Sequence, residues 1–367
     1  MQRALTGEGP ARVALLCVCL LAALLATWLL EIRPGSANAF TFSKAIWGPT
    51  YVNGVNQFPI YKRLGVSIVE EAVNWADVAP KRPRHPTDPN DPAYLWPSDI
   101  QQAVDQARRY HMQISIQIDG APPWANGGHP WEWVPHNPMD YAAFATAAAR
   151  KYPQVRLWMI WGEPNRSPNF QPLYPAPLAS TTLTQKQQIA PRNYARLLDA
   201  AYGAIKQVNG KNLVIGGSTY TTGEISTWAW IKYMKLPNGH PPRMDMYAQN
   251  PFSWEDPNFS DPPTPGGPVE FSDLKRLAAW MDRYLKPGLP LFLSEFTVPT
   301  SVDQEFNFYV DMPVAVKWVR DALRLSRGWN RIYALGWVHV YDEPPESYGG
   351  LLTVAGKPKP TFFAFAQ

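Results

Sequence analysis

The sequence predicts an α/β protein built as a single (β/α)8 TIM barrel with extended loops, and three observations carry that expectation. Eight short apolar runs alternate with amphipathic segments from Phe40 to the C-terminus. The long polar, Pro-rich insertions 76–96, 165–190 and 253–269 each follow a strand candidate, which puts them at the strand C-terminal end of a barrel, where sites are built. No Gly-rich phosphate turn follows the first strand candidate, which disfavours a doubly wound open sheet.

The strand candidates are residues 42–47, 66–73, 113–118, 155–161, 213–217, 244–248, 291–296 and 332–340, each bounded by Pro, Gly or polar residues. Helical starts separate them. Pro97-Ser98-Asp99 opens a segment that runs to His111, and Asn137 followed by Pro138 supplies an N-cap with Pro at the first helical position. Further helices are expected over 191–208, 271–284 and 313–326, with apolar residues three and four apart. The (β/α)8 architecture takes about 250 residues and grows by loop insertion, so residues 40–367 form one barrel domain.

Composition agrees. Of 367 residues 46% are hydrophobic and 17% charged, so a large core can be buried. Aromatic residues make up 13%, with 16 Trp, whose flat faces can cover sugar rings or fill the core. The formal charge of +4 is mild, and the densest basic cluster, Lys81-Arg82-Pro83-Arg84-His85, reads as a solvated loop, so no nucleic-acid partner is expected. No protein partner is evident.

Residues 1–39 read as an export segment. Arg3 and Arg12 precede an uncharged apolar run over 13–30, and Ala37-Asn38-Ala39 gives a small-x-small cleavage pattern that would leave Phe40 at the mature N-terminus. An uncleaved membrane anchor is the alternative. Both cysteines, Cys17 and Cys19, lie in this segment, which removes disulfides, cysteine–zinc sites and thiol catalysis from the mature chain. No His pair has metal-ligand spacing with a carboxylate, so neither a metal nor any other cofactor is expected.

Two carboxylates stand out. Glu163 closes the fourth strand in Trp158-Met159-Ile160-Trp161-Gly162-Glu163-Pro164-Asn165, and Glu295 ends the apolar seventh strand in Leu291-Phe292-Leu293-Ser294-Glu295-Phe296. An ionisable group in such a run is costly to bury without a partner or a task.

With those glutamates, Trp75-Ala76-Asp77-Val78-Ala79-Pro80, Pro122-Pro123-Trp124-Ala125 and Gly349-Gly350-Leu351-Leu352, nearly the whole of 40–367 resembles the clan of retaining glycoside hydrolases with acid/base on strand four and nucleophile on strand seven. The likeness is greatest to family 39 and its exopolysaccharide-hydrolase relatives, with family 5 features. The resemblance implies Glu163 as acid/base, protonated at rest, and Glu295 as ionised nucleophile, acting on a polysaccharide or oligosaccharide by double displacement. It also implies Trp337 as the floor of the sugar site. Trp47, Asn74, Trp124, Gln249, Asn250 and Trp254 are the other candidate substrate contacts.

Three departures accompany the resemblance. Gly162 stands where the clan has Asn, Glu70 where its second strand has Arg, and Phe252, in Asn250-Pro251-Phe252, where its sixth-strand Tyr would bond the nucleophile. An active enzyme with altered 2-position recognition, a transglycosylase and a non-catalytic glycan-binding barrel all accommodate these changes.

Overall fold

Strands buried on both faces must be apolar on both, and the eight runs satisfy this by dividing their side chains between a barrel lumen and a helix layer. The computed structural model describes residues 40–259 and 266–367; the export segment 1–39 lies outside the described residues. The barrel strands are β1 (Ser43–Trp47), β2 (Ile68–Asn74), β3 (Gln113–Asp119), β4 (Leu157–Ile160), β5 (Leu213–Tyr220), β6 (Met246–Asn250), β7 (Leu291–Phe296) and β8 (Ile332–Trp337). All are parallel, each pairs with its neighbour in sequence, and β1 pairs with both β2 and β8 to close the barrel. Residues Thr41–Gln367 form one compact unit. Because every strand points the same way, the three long insertions emerge at one end.

Ala45, Ile68, Leu157, Met159, Ile215, Met246, Ala248, Phe292 and Ala334 fill the lumen. The alternate residues, among them Ile46, Val69, Ile116, Trp158, Val214, Leu293 and Leu335, face the helices. These are α1 (Phe58–Arg63), α2 (Ser98–Tyr110), α3 (Pro138–Lys151), α4 (Ile189–Val208), α5 (Thr227–Tyr233), α6 (Leu274–Tyr284), α7 (Met312–Gly328) and α8 (Pro360–Ala366). Helix α2 buries Ile100, Ala103, Val104 and Ala107, the spacing that makes one apolar stripe, and ends on His111 in the left-handed region at φ 57°. Helix α3 begins as its sequence predicts, with the Asn137 side chain accepting from the Met139 N–H and Pro138 in the first turn. Helices α1, α5 and α8 have no counterpart in the sequence reading, since at seven residues or fewer each is too short to develop a periodic pattern.

Two strand irregularities shape the mouth. In β7 two residues lie between Leu293 and Phe296 where β8 has one between Leu335 and Trp337, so the extra residue falls at Ser294-Glu295. In β5 the extra residue is Ser218, at φ 49°, between the Gly217↔Ala248 and Thr219↔Gln249 pairs. Such bulges re-aim side chains at barrel rims. Beside the β7 bulge, on the neighbouring strand β8, Gly336 leaves no room for a side chain, because an added Cβ would collide with the Ser294 carbonyl and the Glu70 carboxyl.

Candidate active site

Glu163 reaches the mouth through a strained turn. After β4 the chain passes Trp161 at φ 64° and Glu163 at φ 44°, and the Glu163 N–H donates to the carbonyl of the bulged Ser218 at 2.9 Å. Non-glycine residues in the left-handed region persist only where the surroundings enforce them, and they gather at functional sites. The Glu163 carboxylate is 8% exposed and fully engaged. Its Oε2 accepts from Arg166 Nη1 at 2.7 Å and Asn169 Nδ2 at 3.3 Å, and its Oε1 accepts from Asn250 Nδ2 at 2.9 Å. Arg166 in turn lies over the Tyr220 ring, 4.3 Å from its centroid.

Glu295 has the opposite environment. Burial first, then the carboxylates of Glu163, Glu70 and Glu305, push its carboxyl well above the ordinary range, and only the Asn250 amide works the other way. The sequence reading protonates Glu163 and ionises Glu295. In the structure the cation sits on Glu163, and the carboxyl crowded by like charges is Glu295. Asn250, fully buried at the end of β6, serves both.

The three rebuilt positions are now placed. Glu70 points into the lumen, 1% exposed, with no cation: its Oε2 accepts from Ser294 Oγ at 2.7 Å, and Ser294 Oγ accepts from the Trp47 indole at 3.1 Å. Burial drives the Glu70 carboxyl far up, with the Ser294 hydroxyl opposing, so a neutral acid stands where the clan has Arg. At Gly162 the room an Asn side chain would need is taken by Gln117. The Gln117 amide donates to Asp119 at 2.8 Å, and the other Asp119 oxygen accepts the Gly162 N–H at 2.7 Å. Burial raises Asp119 to about 6. Phe252 packs between Tyr220 and Phe306, at 5.5 and 5.0 Å between centroids, which closes the space a phenol would use.

Glu70 therefore gives a pH prediction. Its folded-state affinity for a proton exceeds the unfolded one, so its contribution is complete below the unfolded carboxylate range and is lost as pH rises towards the folded value, at about 1.4 kcal/mol per pH unit. Glu70→Gln mimics the neutral acid. Urea unfolding of both proteins from pH 5 to 8 is expected to show a flatter curve for the variant, with its advantage growing as pH rises; parallel curves would mean Glu70 is not the buried proton carrier.

Four candidate contacts are spent on scaffold. Trp337 corrects the sequence reading most clearly: it faces the helix layer, 1% exposed, against Phe296 and Phe365, with its indole donating to the Gly349 carbonyl at 3.0 Å. Gly336 takes the lumen position on β8, so Trp337 does not floor a sugar site. Gln249 is sealed in the wall, bonded to Thr219 at 2.7 Å; neighbours on a strand face opposite ways, and Asn250 takes the inward place. Asn74 caps the short helical turn Trp75–Val78 through the Ala76 N–H at 2.8 Å. Trp124 donates to the Ala79 carbonyl at 2.8 Å and packs edge-on against Trp75, so it braces the loops.

Two hollows open at the mouth. One, of about 560 Å³, is lined by Trp47, Glu70, Val338, His339 and Tyr341. The other, of about 390 Å³, is lined by Tyr220, Phe252, Trp254, Glu305, Phe306 and Phe308. His339, from the first, and Glu305, from the second, meet at 2.6 Å. Trp254 is 39% exposed on the rim and donates to Asn307 at 3.0 Å. Arg166, Asn169, Tyr220 and Glu305 are absent from the sequence reading; for Arg166 the signal was its place three residues after Glu163. Among the described residues no three His, Cys, Asp or Glu side chains converge as a metal-ligand set.

No protein-family model matches the chain, and no curated protein matches it in sequence. Solved structures do share its fold. A family 39 glycoside hydrolase from the gut symbiont Bacteroides cellulosilyticus superposes with a TM-score of 0.62 at 16% identity, covering 89% of this chain and 63% of that one. A glucosidase from Croceicoccus marinus gives 0.61 at 14% identity, covering 89% and 65%. A monomeric β-xylosidase from Caulobacter crescentus gives 0.58 at 17% identity, covering 89% and 67%. The chain thus spans 63% to 67% of the length of these proteins. What it shares with them is the eight-stranded parallel barrel predicted from its sequence.

Proposed function

We propose that this protein is a retaining glycoside hydrolase, with Glu163 as acid/base and Glu295 as nucleophile. One observation carries the reading: a single amide, Asn250, acts on both carboxyls. One NH2 group can serve two carboxylate oxygens only when they lie within about 6 Å of each other. Such closeness supports a retaining pair, spaced about 5 to 5.5 Å, over an inverting one, which needs room for water at about 6.5 to 9.5 Å. In the first step Glu295 attacks the anomeric carbon while Glu163 protonates the leaving oxygen; in the second, Glu163 takes a proton from water as the glycosyl–enzyme ester opens. The hollows at Trp47 and at Tyr220, Phe252 and Trp254 supply separate apolar faces at the mouth, which favours a chain-like glycan over a single sugar.

The neighbours' names make aryl β-xylosides and aryl glucosides the first probes, followed by a polysaccharide panel. Proton NMR of the first-formed product is expected to show the substrate's anomeric configuration; initial inversion would overturn the assignment. A glycan-binding barrel without turnover is the reading that the upward-shifted carboxyls of Glu70 and Glu295 favour, and it predicts binding by wild type with no product. The export assigned to this enzyme rests on residues 1–39 alone. Sequencing the N-terminus of extracellular protein is expected to begin at Phe40, and a cell-bound product retaining 1–39 would replace export with anchoring.

A further inference from the structure

We propose that Arg166 is a positioning residue that decides which of the two glutamates holds their shared proton, and that substrate must draw it off Glu163 before the acid can act. The inference rests on the retaining assignment above for its catalytic meaning.

Double displacement needs one proton on the pair. Arg166 binds Glu163 at 2.7 Å, while Glu295 faces Glu163, Glu70 and Glu305 with no cation beside it among the described residues, and this arrangement favours the form with that proton on Glu295. The productive form has that proton on Glu163 and the charge on Glu295. Passing from one to the other breaks the O–H bond on Glu295 and forms one on Glu163; nothing else is consumed and the net charge is unchanged. A guanidinium on Glu163 opposes the transfer, because it stabilises the charge that must leave.

Arg166 has somewhere to go. Its side chain is 37% exposed, so it is not locked in the core. Its guanidinium already lies on the Tyr220 face, and Glu224 acts on it as a second, more distant carboxylate. Glu224 is held ready by the Ser167 N–H at 3.1 Å and hydroxyl at 2.7 Å. Tyr220 also lines the hollow that ends at Trp254, so a sugar entering there meets the ring on which Arg166 rests. The other charged or titratable groups facing the pair are Asp119 beside Glu163, and Glu305 with its partner His339. None of these supplies a cation to the Glu163 carboxylate. Once Glu163 has given its proton to the leaving group it is a carboxylate again, and in the second step it must take a proton from water. Arg166 opposes that uptake for the same reason, so it has to stay off Glu163 until the glycosyl ester opens.

The direct test needs no substrate. In protein labelled with carbon-13 at the glutamate carboxyls, the Glu295 signal is identified by its loss in Glu295→Gln and followed through a pH titration. In wild type and Arg166→Lys it is expected to stay protonated above the ordinary carboxylate range. In Arg166→Met it is expected to ionise at least about one pH unit lower, a tenfold change in the proton equilibrium. The same Glu295 titration in all three proteins would overturn the proposal.

Kinetics give the second reading. With an aryl glycoside whose leaving group needs no acid, Arg166→Met is expected to leave kcat/KM and its pH profile nearly unchanged, whereas with a poor leaving group the basic limb of kcat/KM moves to higher pH. Equal losses on both substrates with an unmoved profile would leave Arg166 only bracing its loop and sink the idea. Glu163→Ala in the same assays separates the two claims. If it shows no dependence on leaving group, the glycosidase assignment fails, while the NMR titration still decides what Arg166 does to the proton.

Discussion

Glu295→Gln is expected to abolish turnover, by at least about 10⁴-fold, and to leave the protein as stable as wild type or more so. The activity loss follows from the missing nucleophile, since an amide cannot form the glycosyl ester and the remaining site can only bind. The stability gain follows from the crowding of Glu295. A carboxyl whose folded-state proton affinity is raised stabilises the fold fully below the unfolded carboxylate range and loses that contribution as pH rises towards the folded value. Gln carries no charge to repel Glu163, Glu70 or Glu305, so the difference in melting temperature should widen from pH 5 to pH 8. A mechanism-based 2-fluoro glycoside should label wild type on the peptide that contains Glu295 and leave the variant unmodified. Labelling that persists in the variant would move the nucleophile elsewhere. A variant that melts earlier at every pH would mean that Glu295 is held by contacts beyond those described.

Loss of activity with gain of stability separates a functional glutamate from a structural one. Lys359 with Asp342 shows the structural alternative: two charges 2.6 Å apart and nearly buried, which tie the C-terminal segment to the barrel. Breaking such a pair strands a buried charge and lowers stability. Among the described residues no cation faces Glu295, and its neighbours oppose its ionisation.

The strand-end glutamates were legible in sequence because a carboxyl inside an apolar run is conspicuous, and the barrel was legible because its alternation spans the whole of 40–367. Side-chain direction was harder to read. Parity along β8 is reset by an extra residue between Ile332 and Ala334, so Trp337, which the resemblance places under the sugar, turns to the helices. On β6 parity is regular, and it alone shows that Gln249 and Asn250 cannot both face the mouth. Glu70 needed the structure for the same reason: one residue of slip would have exchanged it with Glu71, which burial raises to about 8 and which faces α1 and α2 through Tyr61 and Asp99 rather than the lumen. Arg166 carried no periodic signal, since it lies in an irregular insertion where the turn geometry brings it back to Glu163.

Glu163→Ala provides the largest contrast between substrates. An oligosaccharide or phenyl glycoside leaves as a poor alkoxide or phenoxide and needs the acid, so its kcat/KM is expected to fall by about 10² to 10⁴. A 2,4-dinitrophenyl glycoside leaves unaided, so its first step should survive while the glycosyl enzyme accumulates for want of a base. Added azide needs no base to attack that ester, and it should restore turnover with release of a glycosyl azide of the substrate's own anomeric configuration. The fold should tolerate the change, because Arg166 keeps its place on Tyr220 and gains freedom to approach Glu224. Asn250 keeps its interaction with Glu295, so the nucleophile is not left without a donor. If both substrates lose activity equally and azide does nothing, Glu163 supports the site without transferring a proton, and the acid must be sought among its neighbours. Asp119 is then first in line, since burial places it at about 6 and it holds the Gly162 N–H one residue away from Glu163. Asp119→Asn, which keeps the shape and removes the titrating group, would show the leaving-group dependence that Glu163→Ala had failed to show.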